Sequence, residues 1–290
     1  MAHLKALYQA YVAKRWGNRT SNPELFQRAH SDRLRSLSRL ERMGINTVPE
    51  LIVALPTLSP ALKFFGIEWV GRFSPSRGET ILLRLLRDDP KIRLSCAHHL
   101  GMLKRRRSNR EFVRIGRNQL ASAKPDPRWL ESVIGGLKSA SDNNSAEVLV
   151  EIYERQDLPG WLRGDAGDAL GFARAISDRR TRLFRRIWAA AAKGIHEPDI
   201  DVQFWSMYVI MQLATNYRRC KGANSLFHTA LPRLRDIAET DHRIAPGFWW
   251  PMCEEAKDAI ECIETGTLQD PDAAERWSGK GEHGEMVKRY

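Results

Sequence analysis

Apolar residues recur along this chain at intervals of three and four, not two. Leu4, Leu7, Tyr8, Tyr11 and Val12 stand at i, i+3, i+4, i+7 and i+8, one face of a helix. Ile92, Cys96, Ala97 and Leu100 follow the same rule. Alternating Val/Ile/Thr runs closed by Asn-Gly or Asp-Gly turns, the mark of hairpins, do not occur. The pattern predicts an all-α protein. Helices are expected over residues 48–55, 80–86, 146–153, 182–192, 226–239 and 254–264, the last stopped near Gly266.

The breaks between helices are themselves periodic. Residues 58–71 superpose on 88–101 at an offset of 30. Pro60 then falls on Pro90, Leu62 on Ile92, Lys63 on Arg93, Val70 on Leu100 and Gly71 on Gly101. A third copy spans 159–171, with Leu162-Arg163 and Leu170-Gly171 in the matching places. A fourth spans 198–210, where Val202-Gln203 replaces the hydrophobic-Arg step and Ile210 takes the place of Leu100. In each copy a proline is expected at the helix start, where its missing N–H costs nothing. The glycine near the end suits either close packing or a left-handed cap. Another apolar helix precedes each copy, and one such pair cannot bury its own stripe, whereas stacked neighbours can.

These features resemble the HEAT repeat family: an Asp/Pro turn, a hydrophobic-Arg step, then small residues ending in Leu-Gly. The resemblance covers roughly residues 46–265 and is clearest at 78–103 and 157–173. It is weakest at 112–140, where the segment from Pro125 keeps the turn and loses the Arg step. It implies an α-solenoid of stacked antiparallel helix pairs that binds proteins or nucleic acids. Three parts are expected: a basic helical segment 1–43 packing on the solenoid, a repeat domain 44–266, and a mobile polar tail 267–290. The first helix reads as part of the body. A transit peptide would be richer in Ser and Arg than the residues up to Lys14 are.

Charge sharpens this picture. Lys and Arg number 46 against 35 Asp and Glu, a formal charge of +11, which favours acidic partners. In a solenoid of helix pairs, links between pairs lie along one edge and turns within pairs along the other. Four links, near 72–78, 104–110, 174–182 and 216–222, are basic. They carry Arg72, Arg77, Lys104, Arg105, Arg106, Arg107, Arg110, Arg174, Arg179, Arg180, Arg182, Arg218, Arg219 and Lys221, against the single acid Asp178. The turns within pairs carry Asp88, Asp89, Glu154, Asp157, Glu197, Asp199, Asp201, Glu239 and Asp241, against the single base Arg155. Helix dipoles alone favour bases at C-terminal ends and acids at N-terminal ends. The clustering of Lys104 to Arg107 exceeds that need and predicts a binding edge.

Candidate chemistry is sparse. No GxxxxGK(S/T) loop, no GxGxxG before a helix, and no zinc-protease or nucleophile-elbow motif occurs. Cys96 and His99 share a helical face, but a metal would need further ligands from elsewhere. HEAT-like enzymes that hold iron carry repeated His-Glu pairs, whereas here only His196-Glu197 occurs, in a turn. More remotely, the chain is similar to HEAT-like DNA glycosylases that remove alkylated bases, through Trp249-Trp250 with Glu254, Glu255 and Asp258, and through Trp161, Arg163 and Asp165. No catalytic role carries over residue by residue, and the aromatic turn reads as a hydrophobic entry to the last helix. Cys96, Cys220, Cys253 and Cys262 form no close pair, which suits reduced thiols in the cytoplasm. No apolar run reaches the length of a membrane span. The expectation is a scaffold without catalysis, cofactor or metal. Its basic edge meets an acidic protein; a nucleic-acid binder, including a repair glycosylase, is the alternative. The oligomeric state is not legible.

Overall fold

A computed structural model describes residues 3–16, 23–138, 142–171, 181–217 and 223–269. Among these residues there are fifteen α-helices, one short 3-10 turn and no strand. The all-α expectation therefore holds. The chain divides into two compact units, Met1–Ser108 and Asn109–Tyr290.

The first unit contains α1 (Leu4–Trp16), α2 (Pro23–Arg42), α3 (Val48–Ala54), α4 (Pro60–Phe73), α5 (Pro75–Asp88) and α6 (Arg93–Leu103). Leu4 and Tyr8 of α1 are buried. Tyr8 packs on Trp69 of α4, and its hydroxyl meets His30 at 2.6 Å. Helix α2 ends in a Schellman motif around Gly44, whose φ is +75°. The Ile45 amide reaches the Leu40 carbonyl and the Gly44 amide the Glu41 carbonyl, while Leu40 and Ile45 close the motif in the core. Thr47 and Glu50 then form a reciprocal capping box that starts α3.

The second unit contains most of α7 (Arg106–Leu120), then α8 (Pro127–Leu137), α9 (Asn143–Glu154), α10 (Gly160–Gly171), α11 (Thr181–Gly194), α12 (Ile200–Tyr217), α13 (Ala223–His228), α14 (Leu231–Thr240) and α15 (Met252–Thr265). The helix expected over 226–239 is in fact two. Pro232 sits in the first turn of α14, where its ring would have broken a continuous helix. Gly266, with φ +83°, ends α15 as anticipated. The tail from residue 270 onward lies outside the described residues.

Packing alternates. In the first unit α3 meets α4, α5 meets α6, α3 meets α5 and α4 meets α6. In the second, α9 meets α10, α11 meets α12 and α14 meets α15, while α9 meets α11 and the series α8, α10, α12, α15 is joined neighbour to neighbour. First helices thus touch at α3 with α5 and at α9 with α11, second helices touch more often, and α4 and α8 also meet the helices that follow them, α5 and α9. The positions equated by the repeat alignment, Ile92, Leu100, Leu162, Leu170, Val202 and Ile210, are all at most 3% exposed.

The hydrophobic-Arg step has a definite job. Arg93 Nε donates to the Leu86 carbonyl at 3.2 Å, Arg163 Nε to the Tyr153 carbonyl at 3.0 Å, and Gln203 Nε2 to the Ile195 carbonyl at 3.1 Å. Each satisfies a backbone carbonyl at the end of the preceding helix, a group with no partner within that helix. The step also reaches the next turn along the chain. Lys63 pairs with Asp89 at 2.8 Å, both guanidinium nitrogens of Arg163 meet Glu197 at 2.6 Å, and Arg243 donates to Gln203 Oε1 at 2.6 Å.

One expectation about the repeat is corrected. Only Pro60 opens its helix; Pro90, Pro159 and Pro198 lie before the first helical residue. Aspartate makes the turn instead: Asp199 Oδ1 accepts the amides of Asp201 and Val202, and Asp89 accepts that of Lys91. Gly171 serves close packing, since a Cβ there would come within 2.3 Å of the Tyr208 ring.

Candidate functional site

The basic cluster of the first unit is built where α6 hands over to α7. The expected link over 104–110 is much shorter in the structure: only Lys104 and Arg105 separate the two helices, and Arg106 to Arg110 are helical. Likewise Ser74 alone separates α4 from α5, so Arg77 lies in the first turns of α5. Lys104 adopts a left-handed φ of 51°, which lets α7 leave at once. Among the described residues it is the one non-glycine with positive φ.

The start of α7 is held by a buried acid. Glu79 of α5 is 5% exposed; it accepts the Ser108 amide at 3.1 Å and the Ser108 hydroxyl at 2.6 Å, and pairs with Arg105 Nε at 3.2 Å. Glu79 therefore caps α7 from a neighbouring helix. Arg105 also reaches Ser76 at 3.1 Å, and Arg107 reaches Thr80 at 3.2 Å. Arg72 pairs with Glu68 at 3.4 Å and lies over the Tyr11 ring at 4.2 Å. Arg77, Lys104 and Arg106 are exposed and make no ion pair among the described residues. Arg33 and Arg72 thus share Glu68, Arg105 meets Glu79, and Arg77, Lys104 and Arg106 have no carboxylate partner among the described residues.

This placement changes the electrostatic account. Arg106 and Arg107 occupy the first turn of α7, the positive end of its dipole, where a cation is disfavoured by a few tenths to about 1 kcal/mol. Helix capping does not explain them. Arg110 follows one turn later on the same helix and is exposed. In the second unit Arg182 is exposed near the start of α11. Arg174, Arg179, Arg180, Arg218, Arg219 and Lys221 lie outside the described residues.

Five of the nine turn acids are paired within the fold, while Asp88 and Glu239 are exposed and join no ion pair among the described residues. Asp89 pairs with Lys63, Glu197 with Arg163, Glu154 with Arg186, Asp157 with Arg155 and Asp241 with Arg243. The hydrogen bond from Lys63 holds Asp89 below the usual carboxylate range, and that from Arg243 does the same for Asp241. An acid turn whose charges are paired this way differs in kind from the Arg77, Lys104 and Arg106 cluster.

The aromatic turn belongs to the core. Trp250 is 2% exposed, its indole N–H donates to Glu255 Oε2 at 3.1 Å, and its ring packs on Phe248 and Phe204. Trp249 is half-buried and meets Trp250 edge-on. Glu255 and Asp258 are buried in α15 behind it. Arg163 is buried and carries Glu197, as above, while Trp161 on the same helix is exposed.

Cys96, Cys253 and Cys262 are free and buried, and burial raises the Cys96 thiol to about 12 and the Cys262 thiol to about 11. His99 is lowered to about 4 by burial, with His98 and Arg72 adding to the effect. No cluster of three or more His, Cys, Asp or Glu able to hold a metal occurs among the described residues. No helix among them is long and apolar enough to cross a membrane.

Sequence reasoning missed Glu79. A signal existed, because Glu79, Leu82, Leu83 and Leu86 stand at i, i+3, i+4 and i+7 and so share the inward face of α5. No family model matches this chain, and no curated protein matches it in sequence.

Proposed function

We propose that this chain is a non-catalytic HEAT-like scaffold. Its helix pairs stack as a solenoid, and its basic cluster docks an acidic protein partner in the cytoplasm. The alternation of first-helix and second-helix contacts supports the stacking, as does the repeated step from Arg93 through Arg163 to Gln203. Buried reduced thiols suit the cytoplasm. One observation carries the binding reading: Arg106 and Arg107 stand at the start of α7 against its dipole, beside exposed Arg77 and Lys104. Such a concentration costs folding energy that an anionic partner would return.

The test uses fluorescence anisotropy with polyglutamate and with a DNA duplex, each across a salt series. The triple variant Arg77→Glu, Lys104→Glu, Arg106→Glu alters exposed residues and should fold normally. It should lose polyglutamate binding and its salt dependence. The control triple variant Asp88→Lys, Glu41→Lys, Glu239→Lys alters exposed acids and should bind at least as well as wild type. Unchanged binding in the first variant defeats the basic-cluster reading. Binding to duplex with a steep salt slope, and none to polyglutamate, would favour the nucleic-acid alternative.

A further inference from the structure

A second surface of the first unit combines charge with an apolar floor. It is a groove of about 410 Å³ lined by Arg39, Arg42, Met43, Ser59 and Leu62. That volume lies within the range of roughly 300–1,000 Å³ typical of ligand clefts. The groove's form follows from two helix ends. The Schellman motif at Gly44 stops α2 sharply and leaves Met43, the last residue before the left-handed glycine, 56% exposed. The other wall is the first turn of α4, where Ser59 is the N-cap but makes no side-chain capping bond. Leu62 forms an apolar surface beneath, itself 3% exposed.

The charge of the groove is one-sided. Arg39 and Arg42 are both exposed in the last turn of α2, and neither joins an ion pair among the described residues. Their neighbours on the same helix are spoken for, Arg33 by Glu68 and Arg35 by Asp32. Arg42 uses Nε on the Ser38 carbonyl at 3.3 Å, which leaves its terminal nitrogens for a ligand. Among the described residues, no acid lines the groove. The α4 dipole adds a partial positive charge at the opposite wall. A flexible, exposed methionine beside a buried leucine suits an aliphatic side chain of variable shape.

We infer that this groove docks a short segment of another protein that carries one large aliphatic side chain flanked by carboxylates. The aliphatic group rests on Met43, above the buried Leu62, and the carboxylates meet Arg39 and Arg42. The groove is separate from the Lys104 cluster and requires no solenoid, so it stands independently of the function proposed above.

Methyl NMR of the full chain with labelled methionine tests it directly. The probe is a blocked peptide, Glu-Asp-Leu-Asp-Glu, with two controls: one with Gln and Asn for the acids, one with Ser for the leucine. The Met43 methyl should shift on titration with the probe and move little with either control. Met207, Met211 and Met252 are buried and should stay still. The double variant Arg39→Glu, Arg42→Glu should weaken binding by roughly tenfold or more. Met43→Ser should weaken it too; its side chain is exposed, so both variants should keep the wild-type melting temperature. Three results overturn the inference. The Met43 methyl is unmoved at millimolar probe, or inorganic phosphate alone reproduces the shift, which marks a simple anion site. In the third, Met102 moves instead; that residue is 45% exposed, two positions before Lys104, and its response would place the peptide on the basic cluster.

Discussion

Arg163 offers the sharpest test of how the helix pairs are joined. Its side chain is 7% exposed and that of Glu197 is 15% exposed. The guanidinium makes a bidentate pair with Glu197, both contacts at 2.6 Å, and a third bond to the Tyr153 carbonyl at 3.0 Å. Burial opposes the charge of Arg163, and the Glu197 hydrogen bond with its opposite charge outweighs that, so its pKa is raised. Replacing Arg163 by Ala would leave a buried carboxylate without its partner and a helix-end carbonyl unsatisfied. Breaking a buried pair by removing one partner costs about 3–5 kcal/mol. The double variant Arg163→Met, Glu197→Leu removes both charges at similar volume. It should cost far less, about 1–2 kcal/mol, chiefly for the Tyr153 carbonyl. Urea unfolding, followed together by tryptophan fluorescence and far-UV circular dichroism, reads the difference. With a slope of about 1–3 kcal/mol per molar urea, the single variant should lower the midpoint by roughly 2 M. Two results would refute the reasoning: a nearly neutral Arg163→Ala, or a double variant as unstable as the single one.

Other consequences follow from burial and charge. His99 titrates at about 4 when folded and near its ordinary 6.5 when unfolded, so the unfolded chain binds the extra proton between those values. Stability should therefore rise with pH across that window; about 3 kcal/mol, complete above 6.5, is lost as pH falls to 4, and His99→Gln should flatten the slope in urea midpoints taken at several pH values. Truncating Ile92, Leu100, Leu162, Leu170 or Ile210 to Ala should cost about 2–5 kcal/mol each, with Val202→Ala somewhat less; mostly neutral results in the same melts would show the repeat register to be wrong. Trp250→Phe should cost about 1–3 kcal/mol because a buried Glu255 oxygen loses its indole donor, whereas Trp249→Ala should cost less. Release of an alkylated base from DNA by the wild-type protein would overturn the non-catalytic reading outright.

Much of this architecture was legible in the chain itself. Periodicity of three and four marked the helices because a residue buried on one face must recur with the helical turn. The offset between residues 58–71 and 88–101 aligned positions that are buried alike, Leu62 with Ile92 and Val70 with Leu100. The hydrophobic-Arg step was visible as a pattern, but its task was not: the carbonyls it satisfies belong to helices seven to ten residues back. Charge was legible as composition and not as bonding. Asp89, Glu154 and Glu197 looked like an open acidic edge; in the folded chain they meet Lys63, Arg186 and Arg163, which lie 26 to 34 residues away. The Lys104 to Arg107 run looked like a loop, because the left-handed turn at Lys104 carries none of the usual glycine signal. Only the tertiary structure brings Glu79 under Ser108 and so lets α7 begin among its arginines. Local sequence determines which residues must be buried together on one face of a helix. Which charges remain free is decided by contacts between helices, and those depend on packing that no single stretch of sequence contains.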